Sequence, residues 1–215
     1  PKLQRLGFSH ILVSPPQKSH ASDRWWGRYQ PVDFTRIEGP LGNAADLHNL
    51  CVAAGRRNLK IVVDAVLHHL SNEPRYVRIR GHRILSAQYP HFSSNDLRGV
   101  HRLGRGRGLP VLDTRSPWVR QQLRNYLRML YDLGVRGFRF DSAKHLDPQL
   151  FPYLLAGLPP LLCFGELVYS APQDFPPAYW QSMKAYDFPL AHSLKRSFAM
   201  GGDLGALLLP QALWG

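Results

Sequence analysis

The chain is 215 residues long, 44% hydrophobic and 20% charged, with a formal net charge of +12. This composition excludes general disorder and supplies enough apolar residues for one sizeable core. No stretch approaches the roughly 18 to 20 uninterrupted apolar residues of a membrane-spanning helix, and the start, Pro1-Lys2-Leu3-Gln4-Arg5, has neither an initiator Met nor an apolar signal core. Both ends read as cuts in a longer chain.

His10-Ile11-Leu12-Val13-Ser14, a short apolar run closed by Pro15-Pro16, suits a buried parallel strand. A long loop is expected from there to about Gly42. Asn43 then caps a helix in which Leu47, Leu50, Cys51 and Ala54 recur at helical spacing, with Gly55 near its end. Lys60 to Val66 is the clearest strand, and His68 and His69 follow it. From Leu67 to Leu112 no period is sustained, which predicts a functional insertion, a small subdomain. Ser116 is expected to cap a strong helix, with Pro117 in its first turn, an apolar face through Val119, Leu123, Tyr126, Leu127 and Leu130, and Gly134 as its stop. Gly137 to Asp141 is the next strand, and Leu161 to Glu166 another after one further helix-length interval.

The charge is uneven. Residues 75–112 carry eight Arg against Asp96 alone, a cluster able to meet a polyanion but lacking the aromatic interleaving that stacks bases, so a solvated basic loop is expected and no nucleic acid. Cys51 and Cys163 sit far apart among apolar neighbours and read as buried free thiols.

Strands alternating with helices imply parallel strands with crossover helices, in either a closed (β/α)8 barrel or an open doubly wound sheet. Asp64, Asp141 and Glu166 each stand at the C-terminal end of an apolar strand, where a barrel gathers its active site. An open sheet more often carries a glycine-rich phosphate loop after its first strand, where this chain has Ser14-Pro15-Pro16. The barrel is favoured, as one body of residues 1–66 and 113–215 with the Arg-rich insertion at 67–112.

Two carboxylates converging from adjacent strand ends can cleave a glycosidic bond, one attacking the sugar carbon while the other protonates the leaving oxygen. Retention requires them roughly 5 to 5.5 Å apart, close to the spacing of about 4.8 Å between neighbouring strands. Arg139, two residues before Asp141, points to the same side of its strand and would hold that carboxylate ionised. Spacing alone leaves open a plain structural salt bridge between Arg139 and Asp141.

At these residues the chain resembles the α-amylase family, glycoside hydrolase family 13. Gly137-Phe138-Arg139-Phe140-Asp141-Ser142-Ala143-Lys144-His145 is similar to the family's nucleophile segment, Val63 to His69 to its strand-three segment and Phe164-Gly165-Glu166-Leu167 to its acid/base segment. Trp25-Trp26-Gly27-Arg28-Tyr29-Gln30-Pro31 and Ala185 to Leu190 resemble two more segments, all in the family's order. The resemblance implies that Asp141 is the nucleophile and Glu166 the acid/base, with Arg139 orienting Asp141. It implies His69 binding the sugar at the cleavage point, Tyr29 stacking under that sugar, Lys144 and His145 touching the leaving-group side, and Asp64 in a structural role.

Departures from the family's pattern qualify these expectations. The third family carboxylate, on a Phe-x-x-x-His-Asp segment of strand seven, has no counterpart up to Gly215, and Pro1 to Leu6 resembles the tail of the first helix. A partial barrel of about strands two to six is therefore expected, inactive alone. The family's common calcium ligands, an Asn and an Asp, are His68 and Val111 here, so no metal site and no cofactor is expected. The implied activity is retaining hydrolysis of α-1,4-glucan, with an α-glucan partner and no membrane. The alternatives are a transglycosylase or isomerase of the same family, or an inactive basic binding fragment. Localisation and oligomeric state are not legible.

Overall fold

The computed structural model describes residues 2–71, 78–79, 82–83, 91–92, 109–168, 174 and 176–208. Most of the Arg-rich insertion expected at 67–112 lies outside them. Within that span the described backbone comprises β6 (Arg78–Ile79) paired with β7 (His82–Arg83), and β8 (His91–Phe92) paired with β9 (Leu109–Pro110).

The architecture is set by five parallel strands in the order β1 (His10–Val13), β5 (Lys60–Val66), β10 (Gly137–Asp141), β11 (Leu162–Gly165) and β12 (Lys184–Ala185). Spatial order follows chain order without reversal. A doubly wound sheet reverses direction at its switch point, whereas a barrel winds one way, so the order itself selects the barrel class. β5 and β10 carry the core: Ile61 to Val66 and Gly137 to Asp141 are all buried. Near-continuous burial on both faces is what a parallel strand between helices requires.

Helix α1 (Lys2–Arg5) precedes β1, and α2 (Ala44–Gly55) leads into β5. Asn43 caps α2 by accepting from the Ala45 and Asp46 N–H groups, while Asp46 accepts from the Asn43 N–H at 2.9 Å, a complete capping box. Leu47, Cys51 and Ala54 form its buried face. α3 (Pro117–Asp132) buries Val119, Leu123, Tyr126, Leu127 and Leu130, the face expected from its periodicity. Each such leucine contributes about 1.5–3 kcal/mol on burial. Against expectation, Ser116 occupies the N-cap position without capping: its side chain makes no bond to the first turn, which opens with Pro117, a residue that has no N–H to satisfy. Gly134 ends α3 at φ +105°, with the Val135 N–H returning to the Leu130 carbonyl at 3.1 Å. A Cβ there would also stand 2.7 Å from the Cys51 Cβ, so any other residue meets both strain and a clash.

The loop expected up to Gly42 instead holds a three-stranded antiparallel sheet of β2 (Gln17–Ser19), β3 (Pro31–Gly39) and β4 (Gly42–Asn43), with a 3-10 helix at Trp25–Tyr29. Its strands alternate too few apolar residues to register as strands, because the sheet buries only Val32 and Ile37 among its hydrophobics and lies at the rim. Near the sixth strand, Ala185 ends β12 and Phe188–Ser197 is helix α6, with the Asp187 side chain accepting from the Leu190 N–H. Helices α4 (Leu150–Leu155) and α5 (Pro177–Ser182) complete the chain order. Both cysteines are buried and free, as expected.

Candidate active site

Strand register brings the charged residues together. Arg139 on β10 is the direct Cα partner of Asp64 on β5. One residue beyond β11, Glu166 donates its N–H to the Phe140 carbonyl at 2.9 Å, which continues the ladder and sets its carboxylate at the same end. The Arg139 guanidinium then meets three carboxylates: Nη1 donates to Asp64 at 2.8 and 3.0 Å and to Asp141 at 2.7 Å, and Nη2 lies 3.2 Å from Glu166 Oε2. A planar, always charged fork suits this task as a single ammonium would not.

Ser142, quoted in the motif but given no role by sequence reasoning, joins the two candidate catalytic carboxylates. Its backbone N–H donates to Glu166 Oε2 at 3.1 Å and its hydroxyl to Asp141 Oδ2 at 3.1 Å. The residue sits at φ +49°, in the left-handed region that side chains with a Cβ rarely adopt. Strain of this kind persists where surrounding contacts over-determine it.

Tyr29, at the end of the 3-10 helix, donates its hydroxyl to Asp64 Oδ2 at 2.8 Å. Its carbonyl accepts from His69 Nε2 at 2.9 Å, which sets the proton on that nitrogen. Asp64 is buried beneath these groups. Tyr29, His69, Arg139, Asp141, Lys144, His145 and Glu166 line one cleft of about 370 Å³, so seven of the eight expected site residues share a wall, with Asp64 below. Trp25, Trp26 and Gln30 also line it, and sequence reasoning assigned them nothing beyond the quoted motif. Trp25 is 76% exposed at the cleft and meets Tyr29 edge to face at 6.0 Å. The side chains differ in access: Asp141 is 10% exposed and Glu166 33%.

Burial pushes the Asp64 carboxyl up to about 6, against the pull of Arg139. Burial opposes the Arg139 charge as well, yet Asp64, Asp141 and Glu166 together raise its pKa above the ordinary arginine value. The guanidinium is thus a fixed cation, shared between Asp64 and Asp141. Burial also lowers the His69 imidazole, keeping it neutral.

The donor set at the family's calcium position does not fit a hard cation. His68 is buried with its ring 5.2 Å from that of His145, and Val111 is buried, so neither position offers a side-chain oxygen. The segments are joined by backbone instead: Leu112 N–H to the His68 carbonyl and Leu70 N–H to the Pro110 carbonyl, both 2.9 Å, with His69 bridging Val111.

A parallel barrel-type sheet with its carboxylates gathered at the C-terminal strand ends defines the class of protein. Comparison with known proteins gives the family. Residues 1–96 match the family model for the alpha amylase catalytic domain, a stretch that includes Tyr29, Asp64 and His69. An alpha-amylase of Aeromonas hydrophila is 31% identical over 260 aligned positions, covering 98% of this chain and 55% of that protein. In fold, an alpha-amylase from Malbranchea cinnamomea superposes with a TM-score of 0.74 at 21% identity, over 96% of this chain and 47% of that one. An alpha-amylase from Geobacillus thermoleovorans complexed with acarbose gives 0.73 at 17% identity, over 91% and 45%. The chain belongs to the α-amylase family, and it spans about half the length of these relatives.

Proposed function

We propose that the protein carrying this segment is a retaining glycoside hydrolase of α-1,4-linked glucan. The observation that supports this best is the tethering of Asp141 and Glu166 to one guanidinium and to one residue, Ser142, at the wall of a single cleft. In the first step the Asp141 carboxylate attacks the anomeric carbon while Glu166 gives its proton to the glycosidic oxygen, so the bond to the leaving sugar breaks as the glycosyl ester forms. In the second, Glu166 takes a proton from water, whose oxygen displaces Asp141. Arg139 orients Asp141, Asp64 holds Arg139, and Tyr29 and Trp25 offer aromatic surface to the sugar. His69, Lys144 and His145 supply polar contacts along the same wall.

This reading includes two negative expectations. Calcium takes no part, because His68 and Val111 do not suit it. Residues 1–215 alone hydrolyse little, because no third carboxylate of the expected motif is present in the sequence.

The test is hydrolysis of maltooligosaccharide by the full-length protein, with the anomer of the first product followed by proton NMR. The α anomer is expected, and both Asp141→Asn and Glu166→Gln should abolish turnover. Release of the β anomer, or activity retained by Asp141→Asn, contradicts the mechanism.

A further inference from the structure

The two ends of the parallel sheet differ in charge: the cleft end mixes carboxylates with cations such as Arg24, Arg115, Arg139 and Lys144, whereas the opposite end is almost purely cationic. Asp64, Asp141 and Glu166 stand at the C-terminal strand ends, and Asp46, Asp113 and Asp147 lie where the chain enters or approaches α2, α3 and α4 at that same end. At the opposite end, a cation stands at every return from helix to strand, in the turn itself or on an adjoining helix. Arg5 precedes β1, Arg56 and Arg57 lead to Lys60 at the start of β5, Arg136 precedes β10, and Lys184 opens β12. In the turn before β11, Arg124 and Arg128 of α3 reach the Ala156 and Gly157 carbonyls at 2.9 and 3.4 Å. Asp132 is the one carboxylate in these turns among the described residues. Because the strands are neighbours in chain order, the turns lie side by side at about the 4.8 Å strand spacing.

Complementing helix C-termini accounts for each arginine singly. Arg57 donates to the Ala53 carbonyl at 2.9 Å, and Arg136 to those of Tyr131 and Val135 at 3.1 and 2.7 Å. Together they do more. A guanidinium has five N–H donors, and these bonds engage one or two while Arg57, Arg128 and Arg136 stay exposed. Carbonyl anchoring pre-orders the side chains, which lowers the entropy an anion must overcome on binding.

We propose that this face is a docking surface for a linear phosphate polymer, recognised by its charges and not by bases. Guanidinium forks match phosphate geometry. Successive bases would need several open rings. Here Arg136 already lies 4.6 Å over Tyr131 and Arg120 4.4 Å over Tyr153, which leaves Phe8 as the one open ring in these turns. The surface is on the far side of the sheet from the cleft, so occupancy leaves the carboxylate site free.

The experiment measures binding of long-chain inorganic polyphosphate to the purified chain over a salt series, by calorimetry. Three variants neutralise exposed side chains of this face together, Arg56→Gln, Lys60→Gln and Lys184→Gln. A control neutralises three exposed cations of the cleft end, Arg24→Gln, Arg36→Gln and Arg115→Gln, for the same change in net charge. At about 0.7 per phosphate contact, the slope of log affinity against log salt should fall by about 2 in the first set and stay unchanged in the control. Affinity at low salt should fall at least about tenfold in the first set. Should circular dichroism show the triple variant unfolded, Arg56→Gln alone decides, with a slope change of about 0.7 expected. Equal losses in both sets, or no loss in either, overturn the proposal, the latter by moving binding to residues 75–107. Tighter binding of single-stranded DNA of matched charge overturns the assignment of polymer class.

Discussion

Ser142 donates its backbone N–H to Glu166 at 3.1 Å from a left-handed conformation, φ +49°, and from the same position its hydroxyl reaches Asp141. The chain thus stores strain at a residue that, like Arg139, touches both candidate catalytic carboxylates. Ser142→Gly relieves the strain but deletes the hydroxyl bond, so the protein should be equally or more stable while kcat falls. The fall expected from a lost hydrogen bond to a charged group is about 1.5–3 kcal/mol of barrier. Ser142→Val cannot adopt this φ without cost and should lower stability by about 1–3 kcal/mol. Urea unfolding and steady-state kinetics of the full-length protein separate the two effects.

Arg139 is the shared partner of Asp64, Asp141 and Glu166, so its removal leaves buried carboxylates facing one another. Arg139→Leu should cost about 3–5 kcal/mol of stability, the penalty of uncompensated buried charge. Arg139→Lys should rescue little, since one ammonium cannot span three carboxylates. A melting temperature for the lysine variant equal to wild type would mean that the fork geometry is dispensable.

His69 gives a pH signature. Burial holds its folded pKa below the ordinary 6.5, with Asp141 and the bond to Tyr29 acting in the other direction. Below pH 6.5 the unfolded chain binds a proton that the folded chain refuses, so this contribution is complete above 6.5 and declines as pH falls, by at most about 1.4 kcal/mol per pH unit. Asp64 acts oppositely. Its folded pKa is raised to about 6, so its ionisation removes stability as pH rises from about 4 to 6. The informative quantity is therefore the difference between wild type and His69→Gln in urea midpoint, which should shrink steadily below pH 6.5. A difference independent of pH contradicts the neutral, buried His69.

Calcium and a chelator should give the same melting curve for the full-length protein. At the positions of interest stand His68 and Val111, and the segments they belong to are already tied by backbone bonds. A shift of several degrees with calcium would show a native-state ion that these side chains do not explain.

The parts of this fold legible in the sequence are those governed by burial. β5 and β10 announce themselves because both faces are covered, and α3 because its apolar face faces the sheet while Arg124 and Arg128 remain outside. The rim sheet of β2, β3 and β4 was hidden for the opposite reason. Gln17, fully buried there, holds its place by polar bonds, accepting from Tyr126 and donating to the Arg28 carbonyl, and no periodicity reports such a residue. In the site, Asp64, Arg139, Asp141 and Glu166 were visible as charges ending apolar strands. Ser142 was not, since its part depends on a backbone angle, and Trp25 and Trp26 carried only the hint of paired aromatics in a loop.

In the proposed mechanism Asp141 becomes covalently bonded to the sugar. This step is tested most directly by incubating the full-length protein with an activated α-maltosyl fluoride whose ring fluorine slows the second step, followed by peptide mass spectrometry. One glycosyl adduct is expected, on the peptide containing Asp141 and absent from Asp141→Asn. An adduct on Glu166 or Asp64, or turnover of the reagent through a species with no adduct on Asp141, would contradict it.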